Sequence, residues 1–405
     1  MTNADAAGPL TGVKVVDLST TFMGPYCTLL MAQMGADVVK LEAPNGDIVR
    51  YIGAGRNAGM GPIFLSVNQG KRSVALDVKR PAGRDALLKV LSTADVLLTN
   101  MRLDALKRLR LTFDDLVESH PHLIHCCLAG FGSGGPYSGQ AAYDDVIQAI
   151  SGLAAVQGAS GPPEYVRTAV ADKTVGLMAL SAILAALVGR GRTGLGQRIE
   201  VPMFEAMATF TMLEEQGGRV FDPPLGPVGY ARTASPRRLP FPTADGYIGV
   251  VVYTDRQWQS FFELIDKPEL AREARFRTIR ERTENIDELY SMLAERLSTR
   301  TTEQWLKDFE RHSIPAVPVL GVDDLFADAH LSAVNLFVSQ EHPTEGRLTL
   351  PRLPIDFFDE EQPTSQPAPN LGAHNREVLQ EAGLTDAEIN RLENDRILTE
   401  GPTHD

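Results

Sequence analysis

From Gly12 to Gly132 the chain alternates short apolar runs with amphipathic stretches, and this alternation constrains its fold more than any other feature. VKVVDLS reads as a strand. GPYCTLLMAQMG follows with helical periodicity, placing Leu29, Leu30, Ala32 and Met34 where they can face a sheet. ADVVKLE is a second strand ending at Glu42. SVALDV, DVLLTN and LIHCCLAGF continue the series, with PAGRDALLKVL and MRLDALKRL as helices between them. Parallel strands need crossover connections of this kind, and the crossovers are right-handed. The recurrence predicts a doubly wound α/β layer.

Such a layer raises the question of a dinucleotide site. The first turn, STTFMGP, lacks the glycines that let backbone approach a pyrophosphate. A literal G-x-G-x-x-G occurs at Gly130–Gly135. It runs on into Pro136 and Tyr137 instead of opening a helix, so no nicotinamide cofactor is expected.

Beyond the alternation, a helix is expected over 144–153, and a long apolar helix opens at Asp172 and closes at Gly191, Gly194 and Gly196. An Asp there reads first as an N-cap, whose carboxylate accepts a bond from an unpaired helix N–H. The Pro-, Gly- and Arg-rich stretch PPLGPVGYARTASPRRLPFP reads as a linker. A hairpin at Asp245-Gly246 and three amphipathic helices then suggest a second domain. The expected boundaries are 1–205 for the first part of a large domain, 206–239 for a linker, 240–325 for a small domain, and 326–405 for a return to the large one.

Composition narrows the function. A net charge of −13 argues against a nucleic-acid partner that needs a broad basic face. Three cysteines, Cys27, Cys126 and Cys127, contain no C-x-x-C and predict neither a disulfide framework nor a zinc site. His120, His122 and His125 have the spacing of neither a zinc helix nor a triad. No serine sits in a G-x-S-x-G elbow. The start of the chain lacks a basic, apolar leader, and the apolar run Val175–Val188 is short for a membrane span. A cytoplasmic protein with no membrane partner is the expectation.

Five segments taken together resemble the family III CoA-transferases, the group that includes formyl-CoA and carnitine CoA-transferases. They are GPYCTLLMAQMGADVVKLEAP, NQGKRSVALDVK, LAGFGSGGPYSGQAAYDDVIQAISGL, AVADKTVGLMALSAILAALVGRGRTGLGQRIEV and LGAHNREVLQEAGLTDAEINRL. The resemblance implies an α/β fold: a large Rossmann-like domain whose parallel sheet is built from both chain ends, and a small α+β middle domain. It also implies an interlocked homodimer, with a hetero-oligomer as the alternative. Acyl-CoA and a small carboxylic acid are the implied substrates, with no tightly bound cofactor and no metal.

By the same resemblance Asp172 is the nucleophile, forming an aspartyl anhydride and then an aspartyl-CoA thioester. Arg72, Asn100 and Met101 match positions that lie against CoA. Lys71, Arg102 and Arg108 are further candidates for its phosphates, and Tyr143 and Asp144 fall near the thioester. Phe22 and Met23 would line the acceptor pocket.

Three departures from the family pattern matter. Asn100-Met101-Arg102-Leu103-Asp104 stands where Asn-Phe-x-Pro-Gly is common, Phe22 replaces a glutamine, and the linker lacks a glycine run. The last two weaken an oxalate–formate assignment. An apolar Phe22–Met23 wall, with Arg232, Arg237 and Arg238 able to meet a second carboxylate, suggests a larger or partly apolar acid. The alternatives are intramolecular CoA transfer, a non-catalytic subunit, and α-methylacyl-CoA racemase chemistry. The racemase needs a histidine where this chain has Tyr143.

Overall fold

A computed structural model describes residues 8–357 and 366–401. Six strands form one parallel sheet: β1 (Lys14–Asp17), β2 (Asp37–Glu42), β3 (Lys71–Ala75), β4 (Val96–Thr99), β5 (Ile124–Ala129) and β6 (Arg198–Pro202). Their order is β3-β2-β1-β4-β5-β6. The direction of winding therefore reverses between β1 and β4, and the crevice outside the strand ends at such a switch point is where ligands bind in open α/β sheets. Strands covered on both faces are expected to be apolar throughout. Val38, Val74, Val96, Leu97, Leu98, Ile124 and Cys126 are accordingly all completely buried.

All six strands come from the first half of the chain, which corrects the expectation of a sheet built from both ends. The C-terminal segment instead covers the sheet with helices Asn375–Glu381 and Asp386–Asn394. Val378, Leu379, Ile389 and Leu392 join Val74, Leu87 and Leu91 in one core. A single antiparallel bridge, Leu76 to Leu398, is the segment's contribution beside the sheet.

The chain forms two compact units, one of residues 1–148, 167–207 and 330–405, the other of 149–166 and 208–329. The stretch read as a linker is structured inside the second unit. Glu215 accepts bonds from the Gly229 N–H through its carbonyl and from Tyr230 N–H and Thr233 Oγ1 through its carboxylate. That unit is built around Trp258, Phe261, Phe262, Trp305 and Phe309. Its helices Asp255–Leu264 and Thr302–Arg311 each start from a capping box, Thr254 with Gln257 and Thr301 with Gln304.

In the first unit the helix Val170–Thr193 is 24 residues long and ends at Gly194 in the left-handed region. By length and composition it is sufficient to cross a membrane, more than the sequence run suggested. Here Ala171, Val175, Gly176, Ala179 and Ile183 form a buried face. At Gly176 an added Cβ would sit 2.8 Å from the Met23 carbonyl oxygen and 3.2 Å from the Tyr26 ring, so only glycine lets the helix Met23–Gln33 approach this closely.

Below the first strand-to-helix turn lies a cluster of buried charges. Asp17 and Lys71 pair at 3.1 Å and Lys40 and Asp47 at 3.0 Å, all four side chains fully buried. Glu42 and Arg50 pair at 2.7 Å. Burial alone would raise the Asp17 carboxyl, but Lys71, Lys40 and the Ser19 and Thr28 hydroxyls hold it down at about 2. Burial pulls the Lys71 ammonium down to about 8 despite Asp17.

These charges shape the turn. Asp17 accepts the Ser19 N–H, Lys40 donates to the Ser19 carbonyl, and Asp47 accepts the Thr21 N–H with both oxygens. Thr21 is held at φ 74°, a conformation unfavourable for a β-branched residue. Breaking a buried pair from one side strands the other charge, at about 3–5 kcal/mol. Lys71→Met is expected to lose that much stability in denaturant unfolding, and Asp17→Asn combined with Lys71→Met distinctly less.

Candidate active site

A groove of about 600 Å³ opens at the C-terminal ends of β1, β4, β5 and β6, on the switch-point side of the sheet. Thr20, Thr21 and Met23 follow β1, Asn100 and Met101 follow β4, and Gly130 and Phe131 follow β5. Arg102, Lys107 and Arg198 bring positive charge to it, and Tyr143, 72% exposed, stands at its margin. Arg198 is paired with Glu200 at 3.5 Å, whereas Arg102 and Lys107 make no ion pair among the described residues. Lys107 and Arg198 were not among the sequence candidates. Lys107 sits in the basic run Lys107-Arg108-Leu109-Arg110 and Arg198 stands alone in GQRIEV, and only the fold brings them to one groove.

Asn100 braces this groove across the switch point. Its side-chain oxygen accepts the Thr20 N–H at 3.0 Å, and its amide donates to the Thr20 carbonyl at 2.9 Å. Both ends of the amide are thus engaged with backbone. Met101 and Arg102 follow directly and line the groove.

Asp172 lies next to the groove rather than among its lining residues. It is the third helical residue, not the cap: Ala169 occupies the cap position, and the Lys173 N–H bonds to the Ala169 carbonyl. The cap function comes instead from Asp144, 28 residues earlier. One Asp144 carboxylate oxygen accepts the Asp172 N–H at 2.9 Å and the other accepts the Gln148 amide at 2.6 Å. Asp144 itself opens the helix Asp144–Ile150, directly after the groove residue Tyr143. Burial and then the neighbouring Asp144 charge raise the Asp172 carboxyl from 3.8 to about 7. Among the described residues no imidazole bonds to either aspartate.

Phe22 caps the helix Met23–Gln33 and stands 5.8 Å from the Lys173 ammonium and 6.1 Å from the Tyr26 ring. Met23 is buried and lines the groove. The apolar pair predicted from the sequence is therefore shared between the groove and the start of the Asp172 helix.

Other candidates lie elsewhere. Arg72 is committed to carboxylates: it binds Asp37 at 3.0 and 2.6 Å and Glu377 and Glu381 at 3.0 Å each. It is outside the groove lining, so the structure does not bring it together with Asn100 and Met101. Lys71 is buried in the cluster described above. Arg108 is exposed and outside the groove lining. Arg232 belongs to the second unit, donating to the Tyr290 hydroxyl at 3.0 Å, and Arg237 and Arg238 are exposed there.

The glycine-rich loop is pinned by carboxylates. Glu205 accepts the Gly132 N–H at 2.9 Å, and Glu200 accepts the Ser133 N–H and hydroxyl at 2.6 and 2.8 Å. These amides already have anionic partners. Glu42, at the end of β2, is occupied by Arg50, the Asp47 N–H and the Ser73 hydroxyl. His120, His122 and His125 each place Nε2 against a backbone carbonyl. Cys126 is fully buried as expected, while Cys127 is only partly buried and reaches the groove.

Comparison with known proteins agrees with this geometry. The sequence profile of CoA-transferase family III matches residues 10–375. The chain is 30% identical to succinyl-CoA:glutarate CoA-transferase of Homo sapiens, over 98% of this chain and 91% of that protein. It is 31% identical to succinyl-CoA:mesaconate CoA-transferase of Haloarcula marismortui, over 96% of this chain and the whole of that one. The crystal structure of a CAIB/BAIF family protein from Brucella suis superposes with a TM-score of 0.78 at 29% identity, covering 93% of this chain and 100% of that chain. A profile match over nine-tenths of the length, on a six-stranded parallel sheet of the same fold, shows that the chain belongs to CoA-transferase family III.

Proposed function

We propose that this chain transfers CoA from an acyl-CoA to a carboxylic acid, with Asp172 as the nucleophile. The observation that carries this reading is the contact between Asp144 and Asp172. It fixes a carboxylate beside a groove with unpaired cations, and no general acid or base is needed for the exchange. An Asp172 oxygen attacks the thioester carbonyl, the C–S bond breaks, and CoA thiolate leaves behind a mixed anhydride. The thiolate then attacks the Asp172 acyl carbon and releases the donor acid. The acceptor carboxylate attacks this aspartyl-CoA thioester, and the returning thiolate takes up the new acyl group and frees Asp172. No proton is gained or lost over the cycle. Covalent catalysis here divides one difficult exchange into symmetrical easier steps.

The Asp172 N–H is held by Asp144, so oxyanion stabilisation cannot come from that amide. Asp144 instead orients the residue and, by its charge, makes the Asp172 oxygens more basic. Arg102 and Lys107 are placed to meet the phosphates of CoA, while Asn100 keeps the groove open.

Incubation with acyl-CoA and hydroxylamine is expected to leave a hydroxamate at Asp172, read by peptide mass spectrometry. Asp172→Ala is expected to lose transfer by at least about 10³-fold with CoA still bound; an unmodified Asp172 in enzyme that turns over would refute the mechanism. The pH dependence follows from the raised carboxyl. The attacking species is the anion, so kcat/KM for acyl-CoA rises through about pH 7 to a plateau on the alkaline side. Asp144→Asn keeps an acceptor oxygen for the Asp172 N–H but removes the charge, and is expected to move that rise to lower pH. Arg102→Ala with Lys107→Ala is expected to raise KM for acyl-CoA about ten-fold or more with kcat little changed, and to reduce its salt dependence.

A further inference from the structure

Lys173 follows the nucleophile in the same helical turn, and its ammonium group has a defined position. It donates to Thr168 Oγ1 at 2.7 Å and stands 5.8 Å from the centre of the Phe22 ring. Thr168 is tied in turn to the Asp144 network, since its carbonyl accepts the Gln148 amide at 3.5 Å. Adjacent residues on a helix project about 100° apart, and the ammonium bonds to Thr168 and not to the Asp172 carboxylate. Lys173 makes no ion pair among the described residues, in contrast to Lys40, Lys71, Arg50, Arg72 and Arg190 of the same unit. An ammonium has three donors, and one is used.

A carboxylic acid attacking the aspartyl-CoA thioester meets the Asp144 carboxylate, a charge of its own sign, beside the reacting carbon. A second carboxylate on the same molecule makes this worse unless a cation receives it. Lys173, next to Asp172 in the helix and without an ion pair among the described residues, is such a cation, with the Phe22 ring beside it to cover the intervening methylenes.

We propose that Lys173 receives the distal carboxylate of a short dicarboxylic acid, such as succinate or glutarate, while the other carboxyl reacts at Asp172. This rests on the CoA-transfer reading above and adds to it the substrate class and the residue that selects it. Lys173 is then a specificity-determining residue: it binds the far end of acceptor and acyl-CoA alike, and takes no part in bond making.

The test compares glutarate with pentanoate, an acid of equal length with one carboxylate, as acceptors for the purified full chain. In Lys173→Met the ratio of kcat/KM for glutarate to that for pentanoate is expected to fall about ten-fold, chiefly through KM. In Lys173→Arg, which restores the charge, the ratio is expected to stay within about three-fold of wild type. An unchanged ratio in Lys173→Met, or equal losses with both acids, would overturn the proposal. Wild-type transfer to pentanoate with none to glutarate would overturn it and leave the CoA-transfer reading standing. Absence of transfer to either acid, with no adduct at Asp172, would remove that reading and this inference together.

Discussion

The pairing of Asp17 with Lys71 inside the sheet's open end is the interaction from which the rest of the site follows. Six charged side chains buried under one turn are tolerable only because each is paired or hydrogen-bonded. Their bonds to the backbone of Ser19 and Thr21 hold the turn in a conformation it would not adopt alone. That turn aims Phe22 outward, starts the helix Met23–Gln33, and through the Met23 carbonyl seats that helix on Gly176. Gly176 is one turn from Asp172. The place of Asp172 is thus tied, through that helix contact, to the buried charges beneath the first turn.

Asp144 performs two tasks with one carboxylate. As a hydrogen-bond acceptor it ends the long helix in a fixed geometry. As a charge it lifts the Asp172 carboxyl towards neutrality. A helix N-terminus ordinarily favours a nearby anion. Here burial, and then the neighbouring Asp144 charge, outweigh that field at Asp172.

Much of this was readable from sequence, and the exceptions have physical reasons. Strands β1, β2, β4 and β5 are legible as short apolar runs because the sheet is covered on both faces, and the helix Met23–Gln33 because nearly all of it is buried. Asp172 could be picked out because it opens an apolar run. Its position inside the helix rather than before it could not, because the cap arrives from Asp144 across a 28-residue separation. The carboxylate partners of Arg72 were hidden for a similar reason. Its neutralising partners Glu377 and Glu381 lie some three hundred residues away, on a helix whose docking onto β3 no local pattern announces. The two-unit division also departs from the composition-based linker, since Glu215 ties Pro- and Gly-rich backbone into folded structure.

A carboxyl poised near pH 7 makes the protein sensitive to the proton content of its surroundings in a way its stoichiometry does not suggest. The full exchange releases no proton, yet at neutral pH a sizeable fraction of resting molecules carry one on Asp172. In the proposed mechanism, acylation of that oxygen discharges the proton to solvent, and regeneration of the free aspartate takes it back. Heat measured during formation of the proposed intermediate then includes the ionisation heat of whatever buffer receives the proton, while heat summed over complete turnovers does not.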